Sequence, residues 1–276
     1  MTEKEIVQNV SKQIVWWVGE RKKKFTELSH DSMASNPFLL PLLCDIHGFS
    51  DFESLADFTL GGHFSTGHAT GFGKLVDEKI LPNVFGTKKL NSSLRRNHPV
   101  LRQSCFDEID HVVKHADGKL DLLSLKAGRW TIQLTMAVKL NNTFEEIIRL
   151  RQEGKIKFSK IVVGVFYGNQ EGLTDKYDIL RGINRGANHT VVNLTDHVDV
   201  HAGKEFWSWL NNGEEQTQHW VLSGILDGMK KAKQVHGDLK PLIEAYRQSF
   251  INHNRAFVRA DDKSIDWDSL LKSING

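Results

Sequence analysis

The stretch that most constrains the fold is KIVVGVFY at Lys160–Tyr167, which is almost entirely apolar and rich in β-branched residues. A strand exposed on one face alternates apolar and polar residues, whereas a strand covered on both faces is apolar throughout. The run is far shorter than the ~18 apolar residues that indicate a membrane span. It therefore predicts a buried strand in an α/β protein whose sheet carries helices on both faces.

A second pair of strands is predicted upstream, within Cys105–Lys126. Phe106–Val113 and Lys119–Leu125 have strand-like composition and are separated by the turn sequence HADG. With Gly118 in the left-handed position of a three-residue loop, the two strands form a hairpin in a single register.

This register brings four polar residues together. Asp110 faces Ser124, Glu108 faces Lys126, and all four share one face because side chains alternate along a strand. Unpaired charge is costly to bury, so the face is either a functional site or the solvated side of an amphipathic hairpin. Spacing alone leaves both interpretations open.

The remaining elements are predicted from helical spacing and capping residues. Thr2 and Glu5 form a capping box before a long N-terminal helix. The five glycines of Gly61–Gly73 predict a flexible loop or hinge. The other predicted elements are helix starts at Asn36-Pro37 and at Ser50 with Glu53, a short helix Lys74–Leu81 stopped by Pro82, a helix Thr131–Arg151, a strand Thr190–Leu194, and a helical region from Gly203–Leu210 to the end.

Composition excludes several classes of protein. The chain has 276 residues, with 36 Lys and Arg against 34 Asp and Glu, which gives a net charge of +2. This near-neutral balance excludes a histone-like polycation but not a DNA-binding protein with one basic face. Two cysteines without a CxxC pair exclude a zinc ribbon, and the charged first residues do not form a signal peptide. We expect a soluble protein of the cytoplasm.

Two apparent motifs fail on inspection. Gly67–Lys74 resembles a phosphate-binding loop, but His68 stands where the first glycine is required and Leu75 stands where Ser or Thr is required. The pairs His111/His115 and His197/His201 have i,i+4 spacing, yet they fall in predicted strands or turns, where this spacing does not join two ligands at one metal.

The chemistry that suits the hairpin cluster is phosphodiester hydrolysis. Carboxylates and a main-chain carbonyl are the hard oxygen ligands that Mg²⁺ prefers. The bound metal acidifies a water molecule, and a nearby ammonium group orients this water and opposes the developing charge.

At this point the chain resembles the PD-(D/E)XK nucleases, since Asp110 is followed by Ser124-Leu125-Lys126. The wider text FDEIDHVV…LLSLKAGRWTIQLTMAV…IVVGVFYGN…AGKEFWSWL is similar to type II restriction endonucleases, in particular those that cut the interrupted palindrome purine-GG-N-CC-pyrimidine. The similarity runs from the Trp16-Trp17 helix to the FWSWL segment.

The resemblance implies a fold and a division of the chain. It implies a restriction-endonuclease-like core, with a mixed sheet flanked by helices, and additional helical N- and C-terminal parts for dimerisation. The implied parts are a helical region at 1–70, a catalytic core at 71–212, and a helical region at 213–276 that packs on the N-terminal helices. The apolar residues of the N-terminal helices and of Trp220–Met229 predict the dimer interface; alternatively, they only complete the core of the monomer.

The resemblance also implies an activity and its residues. The expected activity is Mg²⁺-dependent cleavage of double-stranded DNA at a G·C-rich site, leaving 5′-phosphates. A methyltransferase partner would protect host DNA. The implied metal ligands are Asp110, the Leu125 carbonyl and Glu78, with Lys126 beside the attacking water and Ser124 completing the catalytic set.

Two positions depart from the family pattern. Ile109 stands where the family has Pro, and Ser124 stands where it has the second acid. A hydroxyl is a weaker, neutral ligand, so another carboxylate must supply the missing charge. Glu78 matches the helix glutamate of similar nucleases and is preferred. The competing acids are Glu108, Glu145 and Glu146.

Sequence reading is expected from the loop Arg181–His189, RGINRGANH. Arginine reads guanine by donating to O6 and N7 in the major groove. The candidate DNA-binding residues are Arg181, Asn184, Arg185 and Asn188. The loop is alternatively an ordinary polar loop, or its arginines contact phosphates. For the whole chain, the alternatives are another PD-(D/E)XK repair or structure-specific nuclease, or a catalytically silent DNA-binding or helical interaction protein.

Overall fold

The computed structural model describes residues 1–27, 36–128, 131–184, 189–262 and 264–275. These residues form an α/β protein with one five-stranded mixed sheet. Its strands are β1 (Lys88–Lys89), β2 (His111–Lys114), β3 (Leu120–Lys126), β4 (Ile161–Val165) and β5 (Val198–Ala202). They are ordered β1-β2-β3-β4-β5, antiparallel from β1 to β3 and parallel from β3 to β5. The predicted α/β class with a mixed sheet and flanking helices is confirmed.

Helices account for most of the remaining chain. The α-helices are α1 (Glu3–Glu27), α2 (Leu40–His47), α3 (Phe52–Leu75), α4 (Leu81–Phe85), α5 (Ser92–Arg96), α6 (Leu134–Gln152), α7 (Lys176–Ile179), α8 (Lys204–Leu210), α9 (Thr217–His236), α10 (Lys240–His253) and α11 (Trp267–Asn275). A π-helical segment, Val76–Ile80, lies between α3 and α4, and 3₁₀ turns lie at Ser104–Glu108 and Arg255–Phe257. Among the residues described, no helix is both long and apolar enough to cross a membrane.

The chain divides into two compact units, Met1–Gln13 with Gly73–Gly228, and Ile14–Phe72 with Met229–Gly276. The first unit contains the sheet. One face of the sheet packs on α6, where Leu122, Ile161 and Val163 share a core with Phe144. On the other face, a side chain on Gly164 would collide with the Phe206 ring of α8. The buried β4 strand predicted from Lys160–Tyr167 is therefore confirmed.

The second unit is helical. Residues of α2, α3, α10 and α11 enclose one apolar cluster, in which Phe52 stacks on Phe250 at a centroid distance of 6.4 Å. The α1 residues of this unit pack on α3, because the Trp17 indole donates to the Gly71 carbonyl at 3.3 Å. Arg21 lies so close to Gly71 that an added Cβ would meet its guanidinium at 2.8 Å.

The predicted loop at Gly61–Gly73 is therefore wrong, because α3 runs through it. Each glycine weakens an isolated helix by about 1 kcal/mol, but tertiary contacts override this propensity. The predicted stop at Pro82 is also wrong. A wider π turn leads the chain into α4. Pro82 lies in the first turn of α4, where its missing N–H removes no helical hydrogen bond.

Helix capping was predicted more accurately. The Thr2 N–H donates to the Glu5 carboxylate at 2.8 Å, and the Glu5 N–H donates back to the Thr2 hydroxyl at 3.4 Å. The predicted capping box is confirmed. At α3 the cap is Asp51 rather than Ser50, since the Ser54 N–H donates to the Asp51 carboxylate at 2.8 Å. The helix predicted from Thr131 begins at Leu134.

Two strand predictions need correction. The segment predicted as a strand from Phe106 begins as a 3₁₀ turn, and β2 starts only at His111. No strand forms at Thr190–Leu194, and the missed edge strand is β5. The fully buried Asn141 accounts for this difference, because its amide bonds both the N–H and the carbonyl of Val192, at 2.8 Å each. The main-chain N–H and carbonyl of Val192 are therefore hydrogen-bonded without a neighbouring strand.

Candidate active site

The predicted hairpin register is confirmed. His111 pairs with Leu123 and Lys114 pairs with Leu120, which is the pairing predicted for these residues of β2 and β3. The Asp110 N–H donates to the Leu123 carbonyl at 2.8 Å, and its carbonyl accepts from Leu90 N–H at 2.8 Å. Asp110 is thus fixed by main-chain bonds at the point where β2 begins.

The carboxylate of Asp110 is only partly satisfied. Its Oδ2 accepts the Leu125 N–H at 2.7 Å, while Oδ1 accepts no hydrogen bond from the part of the chain that the structure describes. Burial raises the pKa of Asp110, the Leu125 N–H and the Lys126 charge lower it, and the charge of Asp77 raises it. The Asp110 carboxylate therefore lies among other charged groups, and any further cation beside it would stabilise its ionised form.

Ser124 and Lys126 flank the residue that binds Asp110. The Ser124 side chain is fully buried, yet its Oγ has no hydrogen-bond partner among the described residues. Lys126 is half-buried and makes no ion pair with any carboxylate of the described residues, although its charge acts on Asp110. An unpartnered hydroxyl and an unpaired ammonium at one strand end are unusual in a purely structural hairpin.

Glu108 does not face Lys126 on the strand, which corrects that part of the prediction. It ends the 3₁₀ turn, and its carboxylate binds Lys139 of α6 at 2.7 Å. Arg95 holds the end of this turn by donating to the Ile109 carbonyl at 2.6 Å and to Asp107 at 3.1 Å. The turn replaces regular pairing and leaves the Leu125 N–H for Asp110.

The other acids predicted as candidates for the second carboxylate lie on two different helical segments. Glu78 lies in the π-helical segment with its side chain half exposed, 3.7 Å from the Lys89 ammonium. Glu145 and Glu146 lie on α6; Glu145 is exposed, and the charge of Glu146 adds to burial in raising the pKa of Cys105 to about 11.

Sequence reasoning missed a hydrogen-bonded chain of three residues, Thr87, His111 and Asp77, of which the first two are buried. His111 is fully buried, with its Nδ1 3.0 Å from the Thr87 hydroxyl and its Nε2 2.8 Å from Asp77 Oδ1. Lys89 binds the other oxygen of Asp77 at 2.5 Å. The available signal was His111 itself, a polar residue at an inward position of a strand.

The predicted DNA-reading residues are described only in part. The Arg181 Nε donates to the Val198 carbonyl at 3.1 Å, and its side chain lines a cavity of about 380 Å³ with Thr174 and Asp178. Asn184 is exposed and accepts the His189 N–H at 3.2 Å. Arg185 and Asn188 lie outside the described residues. The segment follows α7 and precedes β5, rather than joining β4 to a strand at Thr190.

The donor set has the chemistry of a hard-cation site. In the described part of the chain, no three His, Cys, Asp or Glu side chains form a group that could hold a metal ion. Oxygen ligands at this end of the hairpin are offered by the Asp110 carboxylate, the Leu125 carbonyl and the Ser124 hydroxyl, which has no hydrogen-bond partner among the described residues. Mg²⁺ takes main-chain carbonyl and water oxygens as well as carboxylates, so the residues present fit this ion.

Comparison with models of known protein families finds no match for this chain, and no curated protein matches it either.

Proposed function

We propose that the chain is a type II restriction endonuclease with a PD-(D/E)XK core. It would cut double-stranded DNA at a short, interrupted G·C-rich palindrome of the purine-GG-N-CC-pyrimidine kind and leave 5′-phosphates. The observation that carries the proposal is the Asp110 carboxylate. The Leu125 N–H fixes one of its oxygens, and the next residue, Lys126, has an ammonium group that makes no ion pair within the described residues.

The proposed ligands of Mg²⁺ are the Asp110 carboxylate, the Leu125 carbonyl and a carboxylate of the Val76–Ile80 segment. When bound, Mg²⁺ lowers the pKa of a water molecule and neutralises phosphate charge. Lys126 would orient the attacking water and oppose charge developing on the phosphate. Ser124 adds a neutral hydroxyl, so the second negative charge must come from elsewhere.

A palindromic site suits two identical subunits related by a two-fold axis, because the symmetry of the protein then matches that of the DNA. Support comes from α9, where Leu222, Leu226 and Met229 are 52%, 57% and 49% exposed at helical spacing. The proposed interface therefore includes this stripe, within the predicted Trp220–Met229 segment. A cognate methyltransferase would protect the same site in host DNA.

Sequence reading is proposed for the segment around Arg181 and Asn184, together with Arg185 and Asn188. Arg181 is held at Nε by the Val198 carbonyl, and the two terminal nitrogens of its guanidinium make no hydrogen bond to the other described residues. Two terminal donors suit bidentate contact with guanine O6 and N7.

The test is digestion of long DNA with purified protein, with and without Mg²⁺. The proposal predicts discrete fragments that require the metal and are absent with Lys126→Ala. Smears or structure-dependent nicks would favour another nuclease of the same superfamily. Intact DNA that the protein nevertheless binds would favour a silent DNA-binding protein, the candidate that the buried Ser124 hydroxyl supports.

A further inference from the structure

Tyr167 is a large exposed side chain just after β4, and the proposed function assigns it no role. The side chain is 59% exposed, and its ring packs edge-on against Phe166 at a centroid distance of 5.4 Å. Its hydroxyl makes no hydrogen bond within the part of the chain that the structure describes. The surroundings of this hydroxyl decide whether it is an ordinary surface group or part of a site.

The position of Tyr167 is set by a close contact with Gly128. A Cβ atom added to Gly128 would collide with the hydroxyl and the ring of Tyr167. The tip of the phenol therefore lies directly against the Gly128 main chain. Any side chain at this position would displace it, so glycine is required for the contact.

Both sides of this contact are held in place. The Gly128 carbonyl accepts the Thr131 N–H at 3.1 Å, the Thr131 hydroxyl at 2.6 Å and the Tyr177 hydroxyl at 2.9 Å. The residue before Tyr167 is anchored as well, because its carbonyl accepts the Trp207 indole N–H at 2.9 Å. A donor that is already fixed loses little conformational freedom when it binds a ligand.

The contact brings the Tyr167 hydroxyl to the candidate active site. Lys126 pairs with Val165 where β3 and β4 end. Gly128 follows Lys126 by two residues, and two residues span at most ~7 Å. Main-chain geometry alone therefore places the Tyr167 hydroxyl close to the end of β3 that carries Lys126.

The chemistry of the ligand follows from this placement. The proposed function puts the reacting phosphate beside Lys126, and successive phosphates of a DNA strand are separated by one nucleotide, a distance of the same order as that between Lys126 and Gly128. Tyrosine is among the side chains that donate to phosphate oxygens in protein–DNA complexes. A phosphate next to the reacting one is thus within reach of the Tyr167 hydroxyl.

We propose that Tyr167 is a substrate-binding residue whose hydroxyl donates to an oxygen of the phosphate next to the scissile one, and that Gly128 leaves the room for it. This inference rests on the proposed nuclease function. It adds a contact from β4 to a site otherwise built mainly on the β2–β3 hairpin. Because the donor is neutral and reads no base, the contact strengthens binding of cognate and random duplexes equally.

The first test is DNA binding by the full-length chain in EDTA, where no strand is cut. Tyr167→Phe removes only the hydroxyl and should weaken binding about tenfold on both kinds of duplex, since the acceptor is charged. The salt slope should stay unchanged because no cation is lost. The matched control is Tyr246→Phe, at a buried tyrosine of the helical unit, which should bind as the wild type does. Unchanged affinity of Tyr167→Phe, or an equal loss in the control, would overturn the proposal.

The second test locates the phosphate. Duplexes carrying a single methylphosphonate next to the scissile phosphate lack one of the charged oxygens. This replacement should weaken the wild type more than it weakens Tyr167→Phe, because the variant has already lost the hydrogen bond. The same loss in both proteins at each of the two neighbouring phosphates would refute the contact.

The role of Gly128 is tested by a double-mutant cycle. Gly128→Ala should weaken DNA binding, and the loss should shrink in a Tyr167→Ala background, where no ring is displaced by the added methyl group. A loss of the same size in both backgrounds would contradict the assigned role of Gly128. If Gly128→Ala fails to fold on thermal melting, the methylphosphonate comparison decides the contact.

The two proposals fail in different ways. Wild-type protein that binds DNA through Tyr167 but cuts none would remove the proposed nuclease activity and keep the contact. DNA cleavage by wild type together with full affinity in Tyr167→Phe would remove the contact alone. A wild-type chain that binds no DNA would overturn both.

Discussion

The two ends of β3 carry polar clusters that differ in how completely their groups are bonded. At the amino end, Asp121 accepts the Lys160 N–H at 3.0 Å with one oxygen. Its other oxygen lies 2.8 Å from His115 Nε2 and 3.4 Å from the Trp209 indole nitrogen. At the carboxyl end, within the part of the chain that the structure describes, Asp110 has one hydrogen-bonded oxygen and the Ser124 hydroxyl has no partner. We call these the closed cluster and the open cluster.

The difference separates a structural role from a functional one. Buried polar groups in folded proteins are nearly always hydrogen-bonded, and each exception calls for an explanation. In the closed cluster Asp121 is hydrogen-bonded at both oxygens, and it links β3 to α8 and to His115, just after β2. In the open cluster, groups of the residues that resemble a nuclease motif lack hydrogen-bond partners among the described residues. Unsatisfied groups that persist in a stable fold are expected where a ligand completes them.

The largest expected effect compares one lysine from each end of the sheet. Lys126→Ala in the open cluster should lower DNA cleavage by about 10²–10³-fold or more, because the group opposing transition-state charge is lost. Lys160→Ala, which removes an ammonium 3.4 Å from Asp199, should cleave at near wild-type rate. Single-turnover digestion with melting temperatures measures both. Comparable losses in the two variants would erase the distinction.

Apolar side chains also differ in how completely they are covered. The α9 stripe is exposed, whereas the apolar groups of the sheet core are covered. Leu226→Glu should weaken the proposed dimer by about 3 kcal/mol, since each copy loses a buried leucine and the interface contains two. Sedimentation should show dimeric wild type and monomeric variant at micromolar concentration. Wild-type monomers, with or without DNA, would contradict the proposed interface.

Replacing each cluster's aspartate by asparagine should change stability in opposite directions. Asp121→Asn should lower the free energy of unfolding by about 1–3 kcal/mol, because an amide offers one acceptor where donors meet both oxygens. Asp110→Asn keeps the acceptor for Leu125 and removes a buried charge, so it should be neutral or stabilising. Urea unfolding with EDTA at pH 7 measures the pair.

The pH dependence provides the control for this pair. Burial raises the pKa of Asp110, so the folded state holds its proton more tightly than the unfolded state does. The destabilisation is then present above the raised pKa and is lost as pH falls through it. Any stability gain of Asp110→Asn should therefore disappear on acidification. A gain that grows toward acidic pH would contradict the buried-charge explanation.

Arg181 is bonded less completely than the closed cluster and more completely than the open cluster. Its Nε donates to the Val198 carbonyl, and its side chain lines a cavity. Arg181→Ala should cost about 1–3 kcal/mol in binding of the cognate site and little on random duplexes if the residue reads a base. A phosphate contact would weaken both equally and reduce the salt slope by about one unit. Binding titrations of the variant on cognate and random duplexes at one salt concentration distinguish a base contact from a phosphate contact. Unchanged affinity for both duplexes would indicate an ordinary surface loop.

The sequence predicted features that depend on near neighbours in the chain. Alternation and the turn glycine fixed the hairpin register, because Gly118 has the left-handed φ of 85° that the short loop requires. The apolar run at Lys160–Tyr167 predicted a strand covered on both faces. The Thr2 and Glu5 capping box also formed as expected.

Features that depend on distant parts of the chain were missed. Glycines predicted a loop where Trp17 and Arg21 pack on Gly71 and α3 continues as a helix. β-branched residues predicted a strand at Thr190–Leu194, where Asn141 satisfies the main chain instead. In both cases contacts with distant residues outweigh local propensity.

The candidate site divides in the same way. Local sequence placed Asp110, Ser124 and Lys126 on one hairpin, because their relation depends only on a short turn and on strand alternation. The contact between Asp77 and His111 was decided by tertiary structure, because it joins the π-helical segment to a buried histidine on β2. Sequence spacing carries no record of contacts between residues 34 positions apart, so only the folded chain shows that Asp77 contacts His111.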